Sequence, residues 1–269
     1  MEQPAIRVEK LTLSRGGGCL LDDVSLTVGS GERVAIVGPN GAGKTTLLKC
    51  LLGLQRPDAG KVEVFGQPIG RYGRRELARQ LSYVPQLLEA SVPFTVLDFL
   101  MMGRYAHSGG FSNQDREGYR IARQALERIG MTRFAERVIS TLSGGERQKI
   151  CIAAALAQQA PVMVLDEPSA HLDPRQREEI HHILCEIGRM DGITILVVTH
   201  DLNWVAMDYD RMVGMAAGAV VADESPESFM SVETLERVFE TRFLMHDHPE
   251  TGRAIVIPPG QEGASKVKS

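Results

Sequence analysis

The chain has 269 residues, 43% of them hydrophobic and 24% charged, with a formal net charge of −4. This length buries a full core as one large domain or two closely joined ones, and the acidic balance excludes a global attraction to nucleic acid. Four cysteines, Cys19, Cys50, Cys151 and Cys185, share no paired spacing, which argues against a zinc site or disulfide framework and suits a reducing compartment.

Residues 5–37 read as strands, with Ile6-Arg7-Val8-Glu9 and Val24-Ser25-Leu26-Thr27-Val28 alternating and Arg15-Gly16-Gly17-Gly18 forming a loop between them. Val34-Ala35-Ile36-Val37 is a buried strand, and Thr45 to Leu52 a helix. Lys61 to Gly66 and Leu81 to Val84 are short strands, the second ending at Pro85 with Gln86 just beyond. From about 95 to 160 the pattern turns helical. Ala122, Ala125, Leu126 and Ile129 form one apolar stripe, and Ile150 to Ala157 is apolar all round, a buried helix that Pro161 ends. Val162 to Leu165 is a core parallel strand leading to Asp166-Glu167. Asp173-Pro174 starts a helix whose core face is Ile180, Ile183, Leu184 and Ile187, which places His181-His182 at the surface. Thr194 to Thr199 is a further buried strand ending at His200. Met212 to Asp223 gives two strands turning near Ala217-Gly218. A short helix over Ser231 to Phe239, a strand at Ala254 to Ile257 and a polar tail disordered beyond Pro259 complete the chain. Strands alternating with helices, with polar residues at strand ends, describe an α/β parallel sheet with its ligand along that edge. The helical block at about 90–160 is an inserted subdomain.

The chain is organised around Gly38-Pro39-Asn40-Gly41-Ala42-Gly43-Lys44-Thr45-Thr46, which fits G-x-x-x-x-G-K-[ST] between a strand and a helix. Glycines let backbone N–H groups turn inward, and the helix start adds partial positive charge where phosphate oxygens sit. Lys44 is placed to reach the β/γ-phosphates and Thr45 to hold Mg²⁺, so the stretch points to a nucleoside triphosphate. Asp166, at a rigid strand tip, suits Mg²⁺, and Glu167 beside it is free to orient or deprotonate a water. Leu142-Ser143-Gly144-Gly145-Glu146 opens a helix and forms a second anion-binding end, although the same residues also make an ordinary capped helix. One nucleotide has one γ-phosphate, so the second end serves a nucleotide held by another copy.

Taken together, the loop 38–46, Gln86, Leu142 to Glu146, Val162 to Glu167, Ser169-Ala170-His171-Leu172-Asp173 and His200 resemble the motif set of ATP-binding cassette ATPases, over roughly residues 5–225. The resemblance implies a P-loop NTPase core with an N-terminal antiparallel β subdomain and an inserted helical subdomain. It assigns 5–240 to the ATP-binding domain and 241–269 to a C-terminal extension. It further implies two copies paired head to tail, each ATP lying between Gly38–Thr46 of one and Ser143-Gly144-Gly145 of the other. Glu167 would be the general base, Gln86 would touch Mg²⁺ or the attacking water, His200 would touch the γ-phosphate, and Asp173 would bridge the two sites. Where such domains commonly carry an adenine-stacking aromatic residue, this chain has Arg15, whose guanidinium can stack on a base or turn to solvent.

Residues 91–107, with Phe94, Phe99, Met101, Met102 and Tyr105, are a candidate docking face for a membrane partner or the core of the helical insert. Thr95 to His107 and Asp247 to Arg253 resemble ATPase subunits of metal-chelate importers, which take up ferric siderophores, haem or cobalamin, with Ala106 standing where proline is usual. That likeness implies a permease dimer and an extracytoplasmic solute-binding protein as partners, no nucleic acid, and a peripheral position on the cytoplasmic face of the membrane. The first residues lack a signal-peptide pattern, and no apolar run approaches the ~18–20 residues that span a bilayer. Ferric siderophore is the first choice of solute. Another cassette importer (of haem, cobalamin, or zinc or manganese), an exporter subunit, a soluble cassette ATPase acting on DNA or the ribosome, and a P-loop kinase are the rivals. His246-Asp247-His248 has the spacing of a transition-metal site, or of solvated tail histidines.

Overall fold

The computed structural model describes residues 3–86, 93–107 and 114–257, with residues 114 and 115 described by backbone only. In chain order, β1 (Ile6–Arg15) and β2 (Gly18–Val28) form a hairpin whose turn at Gly16 and Gly17 takes positive φ. Then come β3 (Arg33–Val37), α1 (Lys44–Leu51), β4 (Ala59–Val64), β5 (Gln67–Pro68), α2 (Arg74–Ala78) and β6 (Leu81–Val84). The helical stretch holds α3 (Val96–Gly103), α4 (Gln114–Arg128) and α5 (Gly144–Ala157). The chain returns through β7 (Val162–Asp166), α6 (Pro174–Asp191), β8 (Thr194–Val198) and α7 (Leu202–Asp208). It ends with β9 (Arg211–Ala216), β10 (Ala219–Glu224), α8 (Pro226–Phe229), α9 (Val232–Phe239), β11 (Leu244–Asp247) and β12 (Ala254–Ile257).

Two sheets organise these elements. One is antiparallel in the order β2-β1-β4-β5, and the other is six-stranded in the order β10-β9-β3-β8-β7-β6. In the second sheet β9, β3, β8, β7 and β6 run parallel, and β10 is an antiparallel edge. Side chains alternate across a strand, so β3 splits its apolar run between two cores. Val34 and Ile36 pack with Leu47, Leu48 and Leu51 of α1 and with Ile6, Leu11 and Leu26 of the antiparallel sheet. Ala35 and Val37 face the other way, onto Ile152 of α5, Ile180 and Leu184 of α6 and Val205 of α7. Burial on both faces is why the runs Val34–Val37 of β3, Val162–Leu165 of β7 and Ile195–Val198 of β8 are apolar throughout. A third core joins α3, α4 and α5 through Leu97, Leu100, Ala122, Leu126, Ile150 and Ala153. Helix α5 contributes to both neighbouring cores and so packs the helical insert against the sheet.

Several elements depart from the sequence expectation. Helix α5 stops at Ala157, four positions before Pro161. Leu244–Asp247 forms a strand that pairs with β12, so the C-terminal extension is an ordered hairpin as far as Ile257, and the tail beyond lies outside the described residues. Within residues 91–107, positions 91 and 92 also lie outside them. Phe94, Met102 and Tyr105 are exposed there, whereas Phe99 and Met101 pack on the helical core.

His181 is buried, contrary to its expected surface position, and only His182 is exposed. Trp204 of α7 covers this flank of α6 and stacks on the His181 ring with centroids 3.8 Å apart and planes within 3°. Burial drives the imidazole pKa down to about 4, against the upward pull of Asp201. A folded-state value below the unfolded one means that the neutral ring stabilises the fold fully above pH ~6.5, and this contribution is lost as pH falls from ~6.5 toward 4. His181→Phe keeps the stack and removes the titration. Its stability loss between pH 7 and pH 5, measured by urea unfolding, is expected to be smaller than the wild type's by about 2 kcal/mol. Equal losses in the two proteins would show that His181 does not titrate as a buried group.

Candidate active site

Neighbouring parallel strands deliver the site along one edge. At the carboxyl end of β3 the chain enters the glycine loop, β8 ends beside His200, β7 ends in Asp166, and β6 ends one proline before Gln86. Two loop glycines are sterically required. A Cβ on Gly38 would lie 2.1 Å from the Met215 carbonyl oxygen, and one on Gly43, where φ is +94°, would lie 2.5 Å from that of Leu20. Lys44 is 6% exposed. Its Nζ donates to the Gly38 and Pro39 carbonyls at 2.8 Å each, folding the ammonium over the loop. Burial lowers its pKa, while the charges of Glu167 and Asp166 oppose the shift.

The Thr45 hydroxyl donates to Asp166 Oδ1 at 3.3 Å, joining the first turn of α1 to the tip of β7. Asp166 is 5% exposed, and burial raises its carboxyl pKa, with the adjacent Glu167 charge adding to the effect. A buried carboxylate held in this way is stabilised by a cation, and a hydroxyl plus a carboxylate oxygen is the hard-donor set that Mg²⁺ takes. These residues therefore fit the ion.

Glu167 has φ of +47°, a left-handed conformation that is uncommon for a residue with a Cβ. Its N–H donates to the Val198 carbonyl at 2.8 Å, which holds the strained residue in place. Its carboxylate is held by two other side chains. Oε1 lies 2.6 Å from His200 Nε2, and Oε2 accepts from Gln86 Nε2 at 3.0 Å. Glu167 is thus not free, as its sequence context suggested. Three residues read separately from three strand ends form one Gln86–Glu167–His200 group, and two of its side chains already occupy the carboxylate oxygens a water would need.

Ser143 caps α5. Its Oγ accepts from Glu146 N–H at 3.3 Å, and the Glu146 carboxylate accepts from Ser143 N–H at 2.8 Å. Gly145 packs against the Gln176 side chain at the start of α6. Asp173 accepts from Gln176 N–H at 2.8 Å and caps α6, with Pro174 at the first helical position. Among the described residues, no hydrogen bond or ion pair joins Ser143, Gly144, Gly145 or Asp173 to the glycine loop. Arg15 is tied to Asp58 at 3.4 Å beside the β1–β2 turn. His248 Nδ1 accepts from the N–H groups of Glu250 and Thr251 and so organises the hairpin turn, and no metal-holding cluster occurs among the described residues. One linking residue escaped sequence reading. Gln148 is buried on α5 and donates to the Pro85 carbonyl at 3.2 Å, holding the Gln86 turn to the helix that Ser143 caps. The available signal was a lone amide among the buried positions of that helix.

Residues 21–170 match the family model described as ABC transporter. The chain belongs to that family. It is 33% identical over 264 residues to the ferric enterobactin transport ATP-binding protein of Escherichia coli, covering 98% of this chain and 97% of the relative. It is 37% identical over 258 residues to the hemin import ATP-binding protein of Nocardia farcinica, covering 94% and 88%. Among solved structures, an ABC transporter described as of metal-chelate type, in an inward-facing conformation, superposes with a TM-score of 0.83 at 27% identity, covering 96% of this chain and 99% of that one. A dimeric ATP-binding cassette bound to ADP and Pi superposes with a TM-score of 0.73 at 28% identity, covering 82% and 98%. The α/β fold is that of the family's ATPase cassettes, and the chain is an ATP-hydrolysing transporter subunit.

Proposed function

We propose that this chain hydrolyses ATP to power import of a ferric siderophore or related metal chelate through a membrane permease dimer. The observation that carries the hydrolytic part is the Gln86–Glu167–His200 group at the strand edge, next to the buried Lys44 and the Thr45–Asp166 pair. In this reading the loop from Gly38 to Thr46 binds the triphosphate, Lys44 leaves the Gly38 and Pro39 carbonyls for phosphate oxygens, and Thr45, Asp166 and Gln86 would hold Mg²⁺. The ion, when bound, offsets the charge on the phosphates. Glu167 accepts the proton of the attacking water at one carboxylate oxygen once Gln86 or His200 has released it, and His200 then turns to the γ-phosphate.

Ser143, Gly144 and Gly145 complete the pocket of a second copy, with Asp173 at the junction. Support comes from their separation from the loop within one chain and from the dimeric cassette among the structural neighbours. Residues 5–240 serve as the ATP-binding unit and 241–269 as an appended extension. Phe94, Met102 and Tyr105 are exposed on the insert, on a face where a permease would dock. No helix among the described residues is long and apolar enough to cross a membrane, which suits a peripheral subunit on the cytoplasmic face served by an external solute-binding protein.

The enterobactin relative supports a siderophore as solute, and the hemin relative, at higher identity, supports haem as the second reading. Uptake decides between them. Cells expressing this chain with its permease and binding protein are expected to accumulate labelled ferric siderophore, and the Glu167→Gln variant is expected to accumulate none. Uptake of haem alone would move the assignment to haem, and solute-independent ATPase with no uptake of either would remove the importer reading.

A further inference from the structure

The C-terminal hairpin holds the helix that begins beside His200. Asn203 is the second residue of α7, three positions after His200. Its carboxamide exchanges two hydrogen bonds with the backbone of β12: Val256 N–H donates to Oδ1 at 2.7 Å, and Nδ2 donates to the Val256 carbonyl at 3.0 Å. At the other end of α7, Arg253 Nη1 donates to the Met207 carbonyl at 2.8 Å and the Ala206 carbonyl at 3.4 Å. These are carbonyls that a helix end leaves without partners, where a cation is favoured. The hairpin is a firm support, because Phe243, Met245, Ala254 and Val256 pack on the second core. Together with Phe239 it also walls a cavity of about 620 Å³ lined by both Glu167 and His200.

His200 depends on this support. Its ring is 42% exposed, and its one side-chain partner among the described residues is Glu167. The imidazole position is therefore set by the backbone from Thr199 to Leu202, where Asp201 N–H donates to Thr199 Oγ1 at 3.1 Å and the Asp201 carboxylate caps α7 at Trp204 N–H. A shift of α7 moves that backbone, and a misplacement of ~1 Å at a reacting group lowers rates by up to ~100-fold.

We infer that Asn203 is a positioning residue: by clamping α7 to the C-terminal hairpin, it sets the His200 imidazole against Glu167 and thereby sets the rate of turnover. The inference rests on the roles given to Glu167 and His200 above. In the full-length chain, Asn203→Ala is expected to lower kcat for ATP by about 10-fold and to change KM by less than ~2-fold, because the phosphate loop is untouched. In a His200→Ala background, Asn203→Ala is expected to change kcat by less than ~2-fold, since a residue acting through His200 has nothing left to position. Arg253→Ala, which loosens the far end of α7, should show the same background dependence with a smaller loss. It serves as the second variant if Asn203→Ala unfolds.

Wild-type kcat in Asn203→Ala, with His200→Ala impaired, would overturn the clamp alone. Equal losses in both backgrounds would reduce Asn203 to a structural role and overturn it too. Wild-type kcat in His200→Ala would overturn the role of His200 and this inference with it.

Discussion

Glu167→Gln is expected to lower the steady-state ATPase rate by about 10²–10³-fold while leaving ATP affinity within ~3-fold of wild type. The substitution is nearly isosteric. An amide keeps the shape that Gln86 and His200 hold at 3.0 and 2.6 Å, so the strand edge keeps its geometry. What it loses is the carboxylate's ability to take a proton from water. The backbone at Glu167 is already in a left-handed conformation in the wild type, so the variant adds no strain there. Binding without turnover should accumulate an ATP-bound pair of chains, visible as a doubled mass in size-exclusion chromatography with ATP and Mg²⁺. Hydrolysis at the wild-type rate would remove Glu167 from the mechanism. Lost turnover with no pair formed would separate the base from the shared pocket.

Ser143→Arg tests the shared pocket from its other side. The Ser143 side chain is exposed and its hydroxyl caps α5 by accepting from Glu146 N–H, so its replacement costs about 1 kcal/mol of helix capping and leaves the fold intact. Because no bond joins Ser143 to the glycine loop of its own chain, ATP affinity of the isolated chain should stay within ~3-fold of wild type. Hydrolysis should fall by about 10²-fold or more, since preorganised donors facing the developing charge are lost and a bulky cation stands in the interface. Filter binding and phosphate release read the two effects separately. Normal hydrolysis by this variant would disprove the two-chain pocket, and loss of ATP binding in the single chain would place Ser143 in the same pocket as Lys44.

The two variants divide the site as its elements do. Glu167 belongs to an edge built by adjacent parallel strands within one chain, and Ser143 to the capped start of α5, which among the described residues has no hydrogen bond or ion pair to the glycine loop. The C-terminal clamp adds a third layer, in which the β12 backbone bonded to Asn203 governs the placement of an exposed histidine.

Local chemistry made much of this protein legible from its residues alone. The phosphate loop required glycines before a Lys-Thr pair, and Gly38 and Gly43 pack where no Cβ fits. Apolar runs ending in polar residues marked β3, β7 and β8 and put Asp166 at a strand tip, whereas His200 drew its weight from the resemblance to the family's motif set, since a polar residue that ends a strand is by itself usually just solvated. Asp173-Pro174 announced a helix start through its own capping bond. Pairings between distant segments were not legible. The engagement of Glu167 by Gln86 and His200 depends on the order of strands in the sheet and on a left-handed residue that no pattern of neighbours demands. His181 is buried because Trp204, on a later helix, covers it. Strand β11, short and mostly exposed, exists because β12 pairs with it, and Asn203 meets Val256 only once both have docked on the shared core. Periodicity and capping are written over a few consecutive residues, whereas these contacts join segments separated by tens of residues and form only when the packed sheet brings them together.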